Sequence, residues 1–104
     1  MYKESETIEL KKSLTQLKEA IISMSAMLNK HHHAEIIFGV NDDGKIFSLN
    51  IGKKTISDVT HEIQNNLKPL PFNVSIKEFE EEGKKLLKVI VDGDDTPYSA
   101  YGRY

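Results

Sequence analysis

The sequence predicts an α+β fold, a mixed β-sheet carrying two helices, in the order β-α-β-β-α-β-β. Three observations predict it. Apolar residues recur at helical spacing in two separate stretches. Short alternating or wholly apolar runs surround those stretches. The clusters Asn41-Asp42-Asp43-Gly44 and Glu81-Glu82-Gly83-Lys84 punctuate the runs as turns.

The elements follow in chain order. From Glu6 to Lys11, Ile8 and Leu10 alternate with Glu9 and Lys11, which is the period of a short strand. Ser13 with Gln16 three residues later reads as a capping box. Leu14, Leu17, Ile21, Met24 and Leu28 then form one apolar stripe, so a helix is expected over 14–29. Glu35 to Val40 is apolar on both faces and suits a central strand. The Asp-Gly turn that follows predicts a returning hairpin strand from Lys45 to Leu49.

Thr55, with Asp58 in the first turn, starts a second helix buried through Ile56, Val59, Ile63 and Leu67. Pro69 and Pro71 stop it. Phe72, Val74 and Ile76 mark a further strand, and Leu86 to Val91 another. The closing Tyr101-Gly102-Arg103-Tyr104 is read as the start of one more. With no repeat, linker or composition shift, 104 residues make a single domain over 1–104.

Composition excludes more than it selects. Fourteen basic against sixteen acidic residues give a net charge of -2 and a pI near 6.1. Overtly basic nucleic-acid-binding domains lie above a pI of about 9, although a net figure conceals local patches. Cysteine is absent, which removes disulfides, thiolate metal sites and a Cys nucleophile and fits a reducing cytoplasm. No apolar run approaches the roughly 18 residues of a membrane span, and MYKESETIEL is not an apolar signal segment.

Two constellations could carry chemistry. Glu4, Glu9, Asp42 and Asp43 are oxygen donors that a sheet could gather around a divalent cation; the plain alternative makes the aspartates turn formers and the glutamates solvated. Paired lysines precede both helices, Lys11-Lys12 and Lys53-Lys54, and Arg103 lies among Tyr98, Tyr101 and Tyr104. Cations with aromatics suit phosphate contact plus base stacking; an ordinary charged surface is the alternative. His31-His32-His33 could bind zinc or nickel, but adjacent residues rarely converge on one ion, so a polar loop is the favoured reading. His61 is read as a surface residue, and no Ser-His nucleophile motif or phosphate loop is present.

Glu4-Ser5-Glu6-Thr7-Ile8-Glu9-Leu10-Lys11 resembles the opening of the Schlafen AlbA_2 domain (divergent AAA-4, a DNA-binding domain by name). Ala26 to His31 and Phe38 to Gly44 are similar to its helix end, central strand and D-D-G turn. Asp94 to Tyr98, with Gly102-Arg103-Tyr104, resembles its closing segment. Leu10 stands where the family has Phe, and His32, His33 and Ala34 stand where it carries glycines.

The resemblance implies a cytoplasmic module, N-terminal in bacterial transcriptional regulators or RecG-helicase relatives, and thus a piece of a longer protein. It also implies an alternative, a metal-dependent endoribonuclease with a three-carboxylate site. Carried over by position, Glu4 and Glu9 would be two of the carboxylates and Asp42 or Asp43 the third, with Mg²⁺ or Mn²⁺ activating water. The leading expectation is nucleic-acid binding, DNA first, through Lys11, Lys12, Lys53, Lys54 and Arg103, with no cofactor, no resident metal and no membrane. A homodimer remains open. The third expectation is a non-catalytic protein-interaction domain.

Overall fold

The computed structural model describes residues 2–103. Its sheet is four-stranded, in the spatial order β1 (Ile8–Lys11), β2 (His33–Phe38), β5 (Lys84–Asp92), β4 (Asn73–Glu81). β1 runs parallel to β2, while β2–β5 and β5–β4 are antiparallel, so the sheet is mixed as expected. The helices are α1 (Leu17–His31) and α2 (Thr55–Asn66). β3 (Leu67–Lys68) and β6 (Ser99–Ala100) form a separate two-stranded sheet. No helix among the described residues is long and apolar enough to cross a membrane.

β2 lies in the middle because it can be buried on both sides. Ala34, Ile36 and Phe38 face the helices and join Leu87, Val89 and Val91 of β5, together with Ile21, Met24 and Leu28 of α1 and Val59 and Ile63 of α2. Both helices therefore cover one face. Ile37 points the other way, into a smaller cluster with Leu10, Val40, Ile46 and Leu86. Full burial of each such side chain contributes roughly 1.5–3 kcal/mol.

Several local details differ from the sequence expectation. Residues Leu14–Gln16 form a 3-10 turn rather than the first turn of α1. Ser13 accepts a hydrogen bond from Thr15 N (3.1 Å), while Gln16 reaches back to Lys12 N (3.0 Å), one residue before the cap. The capping box is thus displaced by one position. His32 ends α1 in the left-handed region (φ 63°), the place a glycine ordinarily takes.

The segment from Lys45 to Leu49 is not the expected hairpin strand. It touches β2's continuation through a single bridge, Val40 with Ile46. Phe47 N donates to Gly39 O (2.6 Å) and Asn41 N to Lys45 O (3.0 Å) on either side of that bridge, so the reversal itself forms; beyond it Leu49 N donates to Lys85 O (2.9 Å) and Lys84 Nζ to Ile46 O (3.3 Å) on β5. Gly39 permits this crossing. It has φ +103°, and a Cβ there would stand 2.5 Å from Leu86 Cδ2 and 3.0 Å from Phe47 O. The β4–β5 hairpin, by contrast, forms where expected, with Glu82 and Gly83 both at positive φ between the paired Glu81 and Lys84.

In α2, Ile56 is 38% exposed rather than buried, and Leu67 leaves the helix to pair with Ala100. Thr55 Oγ1 accepts from Gly52 N (2.8 Å) and so ties the chain ahead of the helix. The last strand is Ser99–Ala100, with Tyr101 and Gly102 turning after it. Tyr104 lies outside the described residues.

Candidate nucleic-acid interface

The carboxylates separate. Glu4 Oε2 accepts the backbone N–H of Leu10 (3.0 Å), and Ser5 N donates to Ile8 O (2.9 Å). Those groups belong to β1 at the edge of the sheet, so residues 4–5 finish that edge. Glu9 pairs in register with Ile36 and therefore shares the helix-bearing face. Its Oε2 is buried without a hydrogen-bond partner, 3.6 Å from Lys11 Nζ, which is also 3.6 Å from Glu19 Oε2 on α1. Asp42 and Asp43 are exposed at a turn that Asn41 closes by accepting from Asp43 N and Lys45 N. No group of three or more His, Cys, Asp or Glu side chains among the described residues is placed to hold a metal ion. The orphaned Glu9 oxygen invites a cation, but the ammonium of Lys11 already stands there, and Glu4 is occupied by the backbone. The three expected ligands do not fit a metal in this arrangement.

The three histidines also diverge. His31 Nε2 lies 3.4 Å from Glu6, His32 is exposed, and His33 Nδ1 lies 2.6 Å from Asp92 Oδ1. Asp92 Oδ2 accepts from Asn73 Nδ2 (2.8 Å), which joins the ends of β2, β5 and β4. These bonds, His33's first, hold the Asp92 carboxyl below its ordinary value.

The expected cationic set is divided as well. Lys11 is half-buried between two carboxylates, which neutralise it. Arg103 is exposed beside Lys18 and Ile22 in an open groove of about 380 Å³. Lys18 Nζ stands 5.1 Å from the centre of the Tyr101 ring. Tyr101 donates to Glu62 (2.8 Å); burial and this acceptor raise the phenol to about 12. Tyr98, expected among stacking aromatics, is instead 1% exposed and belongs to the core. Asn29 clamps its backbone, with Oδ1 accepting from Tyr98 N (2.5 Å) and Nδ2 donating to Tyr98 O (2.9 Å). Lys53 and Lys54 are exposed at the start of α2.

Lys12 is brought beside residues from a distant part of the chain. Its Nζ lies 4.7 Å from the centre of the Phe47 ring, and that of Lys45 lies 5.4 Å from the same ring. Lys84 and Lys85 run alongside through the bonds that hold 46–49 to β5. Lys85 is partly balanced by Glu78 at 3.7 Å. Two lysines, Lys12 and Lys45, therefore stand over one half-buried aromatic, and Lys84 reaches the backbone of the same 45–49 segment. Lys45, Phe47, Lys84 and Lys85 escaped the sequence reading. Lys84-Lys85 has the same paired-lysine form as the two pairs singled out there, and only the long-range pairing of 46–49 joins it to Lys12.

A family profile described as Schlafen, AlbA_2 matches residues 4–104. The chain belongs to the Schlafen AlbA_2 family. Among solved structures, this AlbA_2 domain is similar to the N-terminal domain of a RecG-related protein from Nitrosomonas europaea. The TM-score is 0.66 at 19% identity, over 99% of this chain and 81% of the other. It is also similar to the DIP2311 protein of Corynebacterium diphtheriae, with TM-score 0.72 and 14% identity over 96% of this chain. The AlbA_2 domain spans 20% of that protein's length. At these identities the likeness concerns the fold. Among curated proteins none matches in sequence.

Proposed function

We propose that this AlbA_2 domain is a nucleic-acid-binding module, with DNA as its ligand, acting within a bacterial transcriptional regulator or a RecG-related protein. The observation that carries the reading is the pair of ammonium groups of Lys12 and Lys45 over the Phe47 ring, with Lys84 held on the adjoining Ile46 carbonyl. Ammonium groups on long stems neutralise phosphates without reading sequence, and the ring offers a face on which a base can stack. Lys53 and Lys54 add to the long-range field, and Arg103 stands on a separate surface. The family and the RecG-related likeness support the same reading.

The test is binding of a labelled DNA duplex by fluorescence anisotropy across a salt series. Three phosphate contacts predict a slope of log K against log salt of about -3. Lys12→Ala with Lys45→Ala should remove about two thirds of that slope. An affinity that ignores salt, or a double variant with the parent's slope, contradicts the proposal.

A further inference from the structure

α1 buries one stripe, through Ala20, Ile21, Met24 and Leu28, and exposes another. Lys18, Ile22, Ala26 and Lys30 are exposed and follow one another at a spacing of four. Residues four apart share a helix face, so the four form a row. At 1.5 Å per residue the row is about 18 Å long. Its ends are cationic and its middle is apolar, with Ile22 at 47% exposure. The middle is also concave. Ser25 and Ala26 of α1 and Ala100 opposite are small, and with Tyr101 they line the open groove of about 380 Å³ that also holds Lys18 and Arg103.

The acidic residues around this row are turned to other partners. Glu62 accepts from the Tyr101 phenol (2.8 Å), Glu19 stands 3.6 Å from Lys11, and Glu6 stands 3.4 Å from His31. No Asp or Glu carboxylate among the described residues lies within ion-pairing distance of Lys18, Lys30 or Arg103. The chain is acidic overall, at -2, yet no acidic side chain lines the groove.

We propose that this row is the docking site for an acidic amphipathic helix of a partner protein. The partner's apolar face enters the groove over Ile22 and Ala26. Its carboxylates meet Lys18 and Arg103 at one end and Lys30 at the other. Rows at a spacing of four are the ridges and grooves by which helices pack, and an apolar helix face laid in a groove is a recurrent mode of peptide recognition. The Arg103 guanidinium can hold a carboxylate through two parallel hydrogen bonds. Complementarity of charge selects the partner's sign. The apolar centre disfavours nucleic acid, whose phosphates bury no aliphatic surface. The concavity disfavours a bilayer, which takes up protruding apolar side chains. A second copy offers no matching helix, because its α1 row is itself cationic and the one exposed carboxylate of its α2 is Asp58. The row shares no residue with the Lys12–Phe47 surface, so the inference stands apart from nucleic-acid binding.

The probe is a fluorescein-labelled, amidated peptide of about fifteen residues, long enough to cover the row, with leucines along one helical face and glutamates flanking them. Amide NMR of the intact chain should show shifts gathered at residues 18–30 and 100–103. By anisotropy, Lys18→Glu with Arg103→Glu should weaken binding about tenfold or more, and Ile22→Ser about fivefold. All three positions are exposed, so circular dichroism should stay unchanged. No shifts, shifts elsewhere, a charge-reversed variant that binds like the parent, or equal binding of a peptide with serines in place of the leucines overturns the proposal. Larger shifts of residues 18–30 and 100–103 with duplex DNA, or with phosphatidylglycerol vesicles, overturn it in favour of a nucleic acid or a membrane surface.

Discussion

Replacing Asn29 with alanine should unfasten the C-terminal segment from α1. Asn29 supplies both an acceptor to Tyr98 N (2.5 Å) and a donor to Tyr98 O (2.9 Å), and Tyr98 is 1% exposed. Alanine leaves two backbone groups without their partners. An unpaired buried group costs about 1–3 kcal/mol. Both bonds are part-buried, so the lower half of that range applies to each and the sum is about 2–4 kcal/mol. Against a total stability of about 5–15 kcal/mol this is a large fraction. A loss near 3 kcal/mol lowers Tm by roughly 12–24 °C for a domain of this size. Urea unfolding followed by circular dichroism measures it. Asn29→Asp keeps the acceptor for Tyr98 N and loses the donor, so its stability should lie between parent and alanine variant. A loss below about 0.5 kcal/mol for Asn29→Ala, the range of ordinary surface changes, or Asn29→Asp as stable as the parent, refutes the reasoning.

Three further outcomes are expected. Glu4→Ala should lose about 1–2 kcal/mol by freeing the Leu10 N–H, while Glu4→Gln, which keeps an acceptor oxygen, should retain most of that in urea titrations. Gly39→Ala combines positive φ with a Cβ against Leu86 and Phe47, and should cost about 2–5 kcal/mol in the same assay. Because the folded Asp92 carboxyl sits below its ordinary value of 3.8, its contribution is fully present above that pH. It is lost as pH falls from there through the lower folded value. Thermal unfolding of Asp92→Asn across the acid range should lack that part of the decline.

The parts of the fold legible in the sequence are those settled by local pattern. The two-faced apolar run from Ile36 to Val40 announced a central strand, and the Glu82-Gly83 turn fixed the β4–β5 hairpin. The expected strand at 45–49 failed because the Asp-Gly turn specifies a reversal and not what lies beside it. The reversal forms, with Phe47 N on Gly39 O, but past Phe47 the chain turns to β5 through Leu49. Ile56 matched a helical stripe, but the groove it faces is open. Tyr98 is an aromatic beside a proline in sequence, and only Asn29, sixty-nine residues away, shows that it is clamped into the core.

The candidate site was legible in kind and not in membership. Lys12 was visible as half of a pair, whereas Phe47 becomes its neighbour only when the chain folds. Several residues that carry the family resemblance hold structural roles: Glu4 at the β1 edge, Gly39 at the crossing, and Asn29 and Tyr98 as the clamp. The lysines that would meet phosphate lie mostly outside those motifs.

An amide NMR titration with a short DNA duplex at low salt tests that division most directly. The account predicts that shifts gather at Lys12, at residues 45–49 and at Lys84-Lys85, and that they fade as salt is raised. Shifts confined to the Lys18–Arg103 groove, or none at all, would contradict it.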